Sequence, residues 1–202
     1  QQMILLSSNA QQIFWLARYL TRVQYLCSQF PFQADDAAKK YANAFALGEH
    51  DAASLNTLVQ DAQHFASFAQ QFSCAKDNIQ DLRGVLSAKS YAELNQLIKN
   101  ASENSLDICD VVSECHEILE AEAQDIFLFF MLGQYVEQLD RQLRLKQDTQ
   151  VTLNQLDQVI DLLTQLGWSG VKAAWQQLHI LPNSINFYHF SDHIQHLFEV
   201  DV

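Results

Sequence analysis

The sequence predicts an all-α protein, and three observations support this. Apolar residues recur at intervals of three and four along most of the chain, as in helices with one buried face. Only five Gly and two Pro occur in 202 residues, so few positions interrupt a helix. Neither strand-like alternation nor a Gly-rich phosphate loop appears, which excludes doubly wound nucleotide-binding folds. We therefore expect one domain, residues 1–202, built as a bundle of about seven to nine helices.

The first helix is predicted over about residues 9–30, from a capping box of Ser8 and Gln11 to the helix-ending Pro31. Its apolar stripe has helical spacing and comprises Ile13, Leu16, Leu20, Val23, Cys27 and Phe30. The opposite face carries Trp15 and Tyr25, so we expect another helix layer or another chain to cover that face.

The next helices are predicted from shorter patterns. The segment "ADDAAKKYANAFAL" forms the second helix and stops at Gly48, and a third helix runs from about Ser54 to Phe72. Two short helices, "DNIQDLRGVL" and "KSYAELNQLI", meet at Ser87, which is a suitable N-cap for the second of them.

A long central helix is predicted between Ser105 and Lys146. This stretch contains no Pro, and its only Gly is Gly133, so we expect one helix or two nearly collinear ones. Further helices in 151–202 follow from Thr152 as an N-cap, from "SGVKAAWQQLH" and from the amphipathic tail, and they should pack on the rest.

One helix pattern occurs twice. The segment "FWLARYLTRVQ" begins at Phe14, and "FFMLGQYVEQLD" begins at Phe129; a shift of 116 residues aligns their apolar stripes. We interpret these two motif helices as copies of one unit and expect their stripes to face a common core. The first copy keeps the cations Arg18 and Arg22, and the second keeps the anions Glu137 and Asp140. We predict one charge network between the copies, with ordinary helix-to-helix ion pairs as the simplest role for these groups.

An additional local ion pair is predicted on the second motif helix, where Asp140 and Arg144 are four residues apart. Three histidines, His189, His193 and His196, share one sector of the last helix and are candidate metal ligands. Because an exposed terminal helix offers little second-shell support, we expect no bound metal there and no cofactor elsewhere.

Composition restricts the partners and the compartment. A net charge of −12 repels nucleic acid and anionic lipid. The longest apolar run, "IFLFFMLG", is too short to span a membrane, and no basic segment precedes "MILL", so we expect neither insertion nor export. The four cysteines, Cys27, Cys74, Cys109 and Cys115, form no C-x-x-C pair, and we predict free thiols in a reducing cytoplasm.

Three segments resemble the alpha-E domain proteins, a family of bacterial helical proteins. Both motif helices are similar to the family's Y-W-L-G-R-Y-L-E-R-A-E motif, and "NIQDLRGVLSAKSYAELN" is similar to its middle segment, keeping Asn78 and Arg83. The resemblance covers about residues 4–146. The chain departs from the family where Thr21 replaces Glu in the first copy and where Gln134 and Gln138 replace Arg in the second. It therefore looks like a shortened, degenerate member.

The resemblance implies a helical fold and an association with ATP-grasp-like and transglutaminase-like proteins that make or process amide bonds. Our leading hypothesis is an accessory or scaffold-like protein that binds a protein partner of such a system, with a homo-oligomer as a further possibility. An enzyme or a peptide- or anion-binding protein is the alternative, in which Arg18, Arg22 and Arg83 hold an anion and Glu137 or Asp140 is the base. A metal-binding module at the C-terminal histidines is the weaker alternative. The candidate binding residues are Arg18, Tyr19, Arg22, Asn78, Arg83, Tyr135, Glu137 and Asp140.

Overall fold

The computed structural model describes residues 5–101 and 103–199. Within these ranges the chain forms ten α-helices and no strand, which confirms the all-α prediction with a slightly higher helix count. The helices are α1 (Ser7–Gln29), α2 (Asp35–Ala44), α3 (Ala52–Gln60), α4 (Phe68–Asp81), α5 (Ala88–Asn100), α6 (Ser105–Glu120), α7 (Gln124–Arg144), α8 (Gln150–Gln165), α9 (Lys172–Ile180) and α10 (Ser184–Glu199). A short 3₁₀ helix, Ser169–Val171, precedes α9. The ends of the predicted 1–202 domain and of the resemblance near residue 4 lie outside the described residues.

The central helix is α1, and not the predicted stretch after Ser105. It packs against α4, α6, α7 and α10, and its stripe residues from Ile13 to Val23 are fully buried. The opposite face is also covered, since Trp15 and Tyr25 are half-buried. Tyr25 stacks on Tyr41 of α2, with 6.2 Å between the ring centroids. A helix of the same chain therefore covers this part of the face.

The start of α1 differs from the prediction. The helix begins at Ser7, and its N-cap residue is Leu6, which has no side-chain hydrogen bond to the first turn. The predicted capping box of Ser8 and Gln11 is therefore absent. By contrast, Ser87 caps α5 as predicted, because its side chain accepts a hydrogen bond from the Ser90 backbone N–H.

The predicted third helix is two helices. Between α3 and α4, the Asp61 carboxylate accepts a hydrogen bond from the Gln63 N–H at 3.0 Å, and the Ser67 hydroxyl accepts one from the Gln70 N–H at 3.2 Å. Such side-chain bonds to nearby backbone compete with helix continuation. The first half of the segment predicted as a separate helix before Ser87 is the end of α4, and the second half is the turn that follows it.

The predicted long helix is a hairpin of α6 and α7. The rings of His116 and Phe130 lie 5.4 Å apart, whereas 14 residues would separate them by about 21 Å along one straight helix. The turn has no Gly or Pro, and the left-handed conformation is adopted by Gln124, at a φ of +44°. The sequence therefore has no helix-breaking residue that would mark this turn.

The prediction of four free thiols is wrong for two cysteines. Cys27 and Cys109 form a disulfide that joins α1 to α6, with their Cα atoms 5.8 Å apart. Cys74 and Cys115 are free. Because a disulfide requires proximity in the fold and not in the sequence, the separation of 82 residues concealed this pair.

The C-terminal helices complete the bundle. Helix α8 packs on α7, and α10 packs on both α1 and α7. Trp175 of α9 is buried and donates a hydrogen bond to Asp157 of α8 at 2.9 Å, which anchors α9. None of the helices in the described part of the chain is both long and apolar enough to cross a membrane.

Candidate functional site

The two motif helices, now α1 and α7, lie side by side and run in the same direction. Gly133 approaches Phe14 and Ala17, and one turn further along each helix Arg18 meets Glu137. A Cβ atom on Gly133 would lie only 2.7 Å from the Ala17 Cβ. Glycine therefore permits a close backbone approach, which brings the polar residues of the following turns into direct contact.

Glu137 is the centre of the contact. Its side chain accepts hydrogen bonds from Arg18 Nε at 2.8 Å, from Arg22 Nε at 2.7 Å and from Arg22 Nη2 at 3.2 Å. Glu137 is 4% exposed and Arg18 is 5% exposed. Both carboxylate oxygens are therefore engaged by charged donors inside the bundle, which are the strongest protein hydrogen bonds.

Asp140 extends the network to α2. It accepts a hydrogen bond from Arg18 Nη2 at 3.1 Å and another from Arg144 Nε at 2.8 Å, so the predicted local ion pair is present. Arg144 also donates from Nη1 to the carbonyl oxygen of Ala44 at 3.0 Å. Because Ala44 is the last residue of α2, the network ties that helix end to the motif helices.

Aromatic rings cover the guanidinium groups of the network. Each cation lies over a ring, at distances typical of cation–π contacts. The pairs, with the distance from guanidinium carbon to ring centroid, are Trp15 with Arg18 (4.9 Å), Tyr19 with Arg22 (5.6 Å), Tyr25 with Arg141 (4.2 Å) and Phe45 with Arg144 (5.8 Å). Four of the five arginines of the chain are therefore gathered here. We call these four arginines, Glu137 and Asp140 the arginine cluster.

The electrostatics follow from burial and charge. Burial alone would raise the pKa of Glu137, but Arg18 and Arg22 lower it below its ordinary value. Burial alone would lower the pKa of Arg22, but the charge of Glu137 and its hydrogen bond raise this pKa above its ordinary value. Burial lowers the pKa of Arg141, which stacks on Tyr25. Glu137 is consequently held as a carboxylate near neutral pH.

Five of the eight predicted site residues come together in or beside the arginine cluster. Tyr19 joins the four charged residues by lying under Arg22; burial raises the pKa of this phenol, and a hydrogen bond with the Cys74 thiol adds to the shift. Arg141 was missed by the sequence reasoning. The available signal was the distribution of arginines, since four of the five fall within the two motif helices.

The other three predicted residues lie elsewhere. Asn78 of α4 donates a hydrogen bond to Gln12 at 2.6 Å. Gln12 lies on α1 six residues before Arg18, which is the first residue of the arginine cluster. Arg83 is exposed in the turn that follows α4, five residues after Asn78. Tyr135 is about 200° around α7 from Glu137; burial raises its pKa, and the charge that adds to this shift is that of Glu120 on α6.

A cavity of about 980 Å³ opens near the first residues of α1 and α7. Its walls are mainly apolar and include Leu5, Val85, Ile126, Trp168 and Leu197. None of the eight predicted site residues belongs to its lining. The arginine cluster is therefore a packed contact between helices and does not converge on this concave site.

The three C-terminal histidines lie on the exposed face of α10, opposite the buried Phe190, Ile194 and Phe198. His196 Nδ1 lies 2.8 Å from the backbone oxygen of Asp192, and this contact raises the pKa of His196. Across residues 5–101 and 103–199, no three His, Cys, Asp or Glu side chains are grouped so that they could hold a metal ion.

Comparison with known proteins identifies the family. A model of the Alpha-E family, described as a predicted alpha-helical domain with a conserved ER motif, matches residues 5–176. The chain belongs to the Alpha-E family. No curated protein and no solved structure matches the chain.

The family is described by a conserved ER motif, and no Glu-Arg dipeptide occurs in this sequence. The resemblance described above aligns this motif with Thr21-Arg22 on α1 and with Glu137-Gln138 on α7, and in that alignment each helix retains one half. The retained halves bond to each other, with Arg22 Nε 2.7 Å from Glu137 Oε1. One Glu–Arg pair is therefore present, formed across two helices. The duplication of the motif helix itself stays a prediction.

Proposed function

We propose that this Alpha-E protein is an accessory or scaffold-like helical protein that binds a protein partner and carries out no chemistry at its arginine cluster. The observation that carries the proposal is the saturation of Glu137, whose buried carboxylate accepts three hydrogen bonds from two arginines. These groups fasten α1 to α7. A catalytic acid or base must instead reach a substrate and exchange a proton with it.

The enzyme alternative receives less support from the geometry. It requires Arg18, Arg22 and Arg83 to hold one anion beside Glu137, yet Arg83 is exposed in a distant turn. The lowered pKa of Glu137 also opposes a role as a base near neutral pH, since a weak base abstracts protons poorly. The three histidines are exposed and dispersed along α10, so the metal-binding alternative has no additional support.

The partner that we propose is an ATP-grasp-like or transglutaminase-like protein of an amide-bond system. Family membership supports this choice through the association that the resemblance implies. We also propose that the chain is located in the cytoplasm, where such ATP-dependent systems would operate. The Cys27–Cys109 disulfide favours an oxidising compartment instead, so the redox state of this pair in the cell tests the proposed location. The net charge of −12 favours a partner with a basic docking surface.

The test is a tagged chain expressed in its native cell, followed by identification of the proteins that co-purify. We expect an ATP-grasp-like or transglutaminase-like protein, and we expect the purified pair to rebind in a reconstituted mixture. A variant in which exposed Arg83 is replaced by Ala should retain binding and fold. Failure of both protein classes to co-purify, or amide-bond turnover by the isolated chain that is lost on Arg83→Ala, would overturn the proposal.

A further inference from the structure

The turn between α9 and α10 lies in an uncharged stretch of the sequence. No Asp, Glu, Lys or Arg occurs in residues 173–191, between Lys172 and Asp192, although such residues are 18% of the chain. Large apolar side chains are nevertheless exposed there. Their exposed fractions are 83% for Ile180, 59% for Leu181, 69% for Ile185 and 70% for Tyr188. We call these four residues the α9–α10 tip.

The tip has a fixed shape. Asn183 accepts a hydrogen bond from the Asn186 N–H at 2.8 Å, and Asn186 Nδ2 donates to the Leu181 carbonyl oxygen at 2.8 Å. Behind the tip, the buried rings of Trp175 and Phe190 lie 5.5 Å apart. The backbone of the turn is therefore held by hydrogen bonds, so little backbone entropy would be lost when the tip is covered.

The apolar area exposed here is comparable to that of the patches that often have a function on monomeric proteins. The four side chains offer on the order of 500 Å² of apolar surface, which approaches the largest patch of a typical monomer. Interface centres are depleted in charged residues and enriched in aromatic ones, as at Tyr188. The tip thus has the composition of an interface centre.

We propose that the α9–α10 tip is a self-association surface, which a second copy of this chain covers around a twofold axis. Two chains that each carry a charge of −12 repel each other over most of their surfaces. They can approach closely only where charge is absent, and the tip is such a place. A basic partner would gain more by docking on the acidic remainder of the surface.

An uncharged apolar patch is also suited to a twofold interface because it is complementary to itself. Every contact in such an interface occurs twice, so any charge near the axis faces its own copy. Ile185 and Tyr188 are three residues apart on α10 and project to one side of the helix. Two copies of this pair can therefore interdigitate without bringing like charges together.

The test is sedimentation equilibrium of the full chain over a range of concentrations, comparing the wild type with Ile185→Asp and Val151→Asp. The control is closely matched, since Ile185 and Val151 are the second residues of α10 and α8 and are 69% and 68% exposed. We expect the wild-type mass to rise from 23.1 kDa toward twice that value with concentration. Ile185→Asp should raise the dissociation constant at least tenfold, and Val151→Asp should leave it within twofold.

Salt gives a second readout. Self-association through the tip should strengthen when salt screens the repulsion between the two acidic chains, whereas a charge-driven contact would weaken. The proposal is overturned if the wild type remains monomeric up to about 1 mM, a weak-affinity limit. It is also overturned if Ile185→Asp and Val151→Asp change the dissociation constant by the same factor. A wild type that is monomeric but binds another protein through the tip, with this binding lost in Ile185→Asp, would overturn the proposal as well.

Discussion

Replacing Glu137 with Gln tests how much the arginine cluster stabilises the bundle. Glutamine keeps the shape of the side chain but loses the charge and turns one of two acceptor oxygens into an amide donor. Arg18 and Arg22 now donate three hydrogen bonds to this carboxylate. In the variant an amide group would face a guanidinium group, and Arg18 would keep only Asp140 as a charged partner.

The expected loss is about 3–5 kcal/mol in the free energy of unfolding, because removing one member of a buried ion pair leaves an uncompensated charge. This is a large part of the roughly 5–15 kcal/mol by which a domain is stable. For a chain of this size the melting temperature should fall by about 6–20 °C, at about 2–4 °C for each kcal/mol.

The assay is urea unfolding followed by far-ultraviolet circular dichroism, with the slope of the transition compared between variants. Glu117→Gln on the exposed side of α6 is the control, and its effect should remain within about 0.5 kcal/mol. A loss below about 1 kcal/mol for Glu137→Gln, which is the range of an exposed ion pair, would refute the reasoning.

Three further predictions concern packing, pH and the disulfide. Gly133→Ala should destabilise the protein by about 1–3 kcal/mol in urea unfolding, because the new methyl group would overlap Ala17 and force α1 and α7 apart; an unchanged midpoint would contradict the close approach. Burial lowers the pKa of His116 from 6.5 to about 4. As the pH falls, this histidine is therefore protonated in the unfolded chain before it is protonated in the folded chain. Stability from this group is complete above pH 6.5 and falls by about 3 kcal/mol as the pH drops to 4, whereas His116→Asn should show a flatter pH profile over that window. Reduction of the Cys27–Cys109 disulfide should lower the free energy of unfolding by about 2–4 kcal/mol, and Cys74→Ser should have no such effect. Glutathione keeps such thiols reduced in a cytoplasm. The redox state of Cys27 and Cys109, measured in protein from the native cell after acid quenching of thiol exchange, therefore tests the proposed location: reduced thiols support the cytoplasm, and a disulfide contradicts it.

The sequence carried enough information to predict the pairing of the two motif helices. Their apolar stripes coincide under one shift, and the charge lost from one copy is kept in the other, so Arg18 could be matched with Glu137. At about 100° per residue, Arg18 and Arg22 nevertheless lie nearly opposite the core stripe of α1 on a helical wheel. The wheel did not include the close approach at Gly133, which lets long arginine side chains reach the opposite helix.

Other features were not predictable from local patterns. The break at Asp61–Ser67 depends on side chains that bind backbone N–H groups, and the α6–α7 turn has no Gly or Pro. The disulfide and the bond from Arg144 to the Ala44 carbonyl join residues 82 and 100 positions apart. Such contacts depend on the packing of whole helices, which the pattern within one helix does not determine.

The most direct test of the structural role of the arginine cluster is a double-mutant cycle between two of its buried members, Arg18 and Glu137. Arg18→Met, Glu137→Gln and the double variant are compared with the wild type by urea unfolding. The account predicts a coupling free energy of at least about 1.5 kcal/mol, since a hydrogen bond between charged groups has this value. Additive effects, with a coupling below about 0.5 kcal/mol, would show that these residues act independently and would contradict the account.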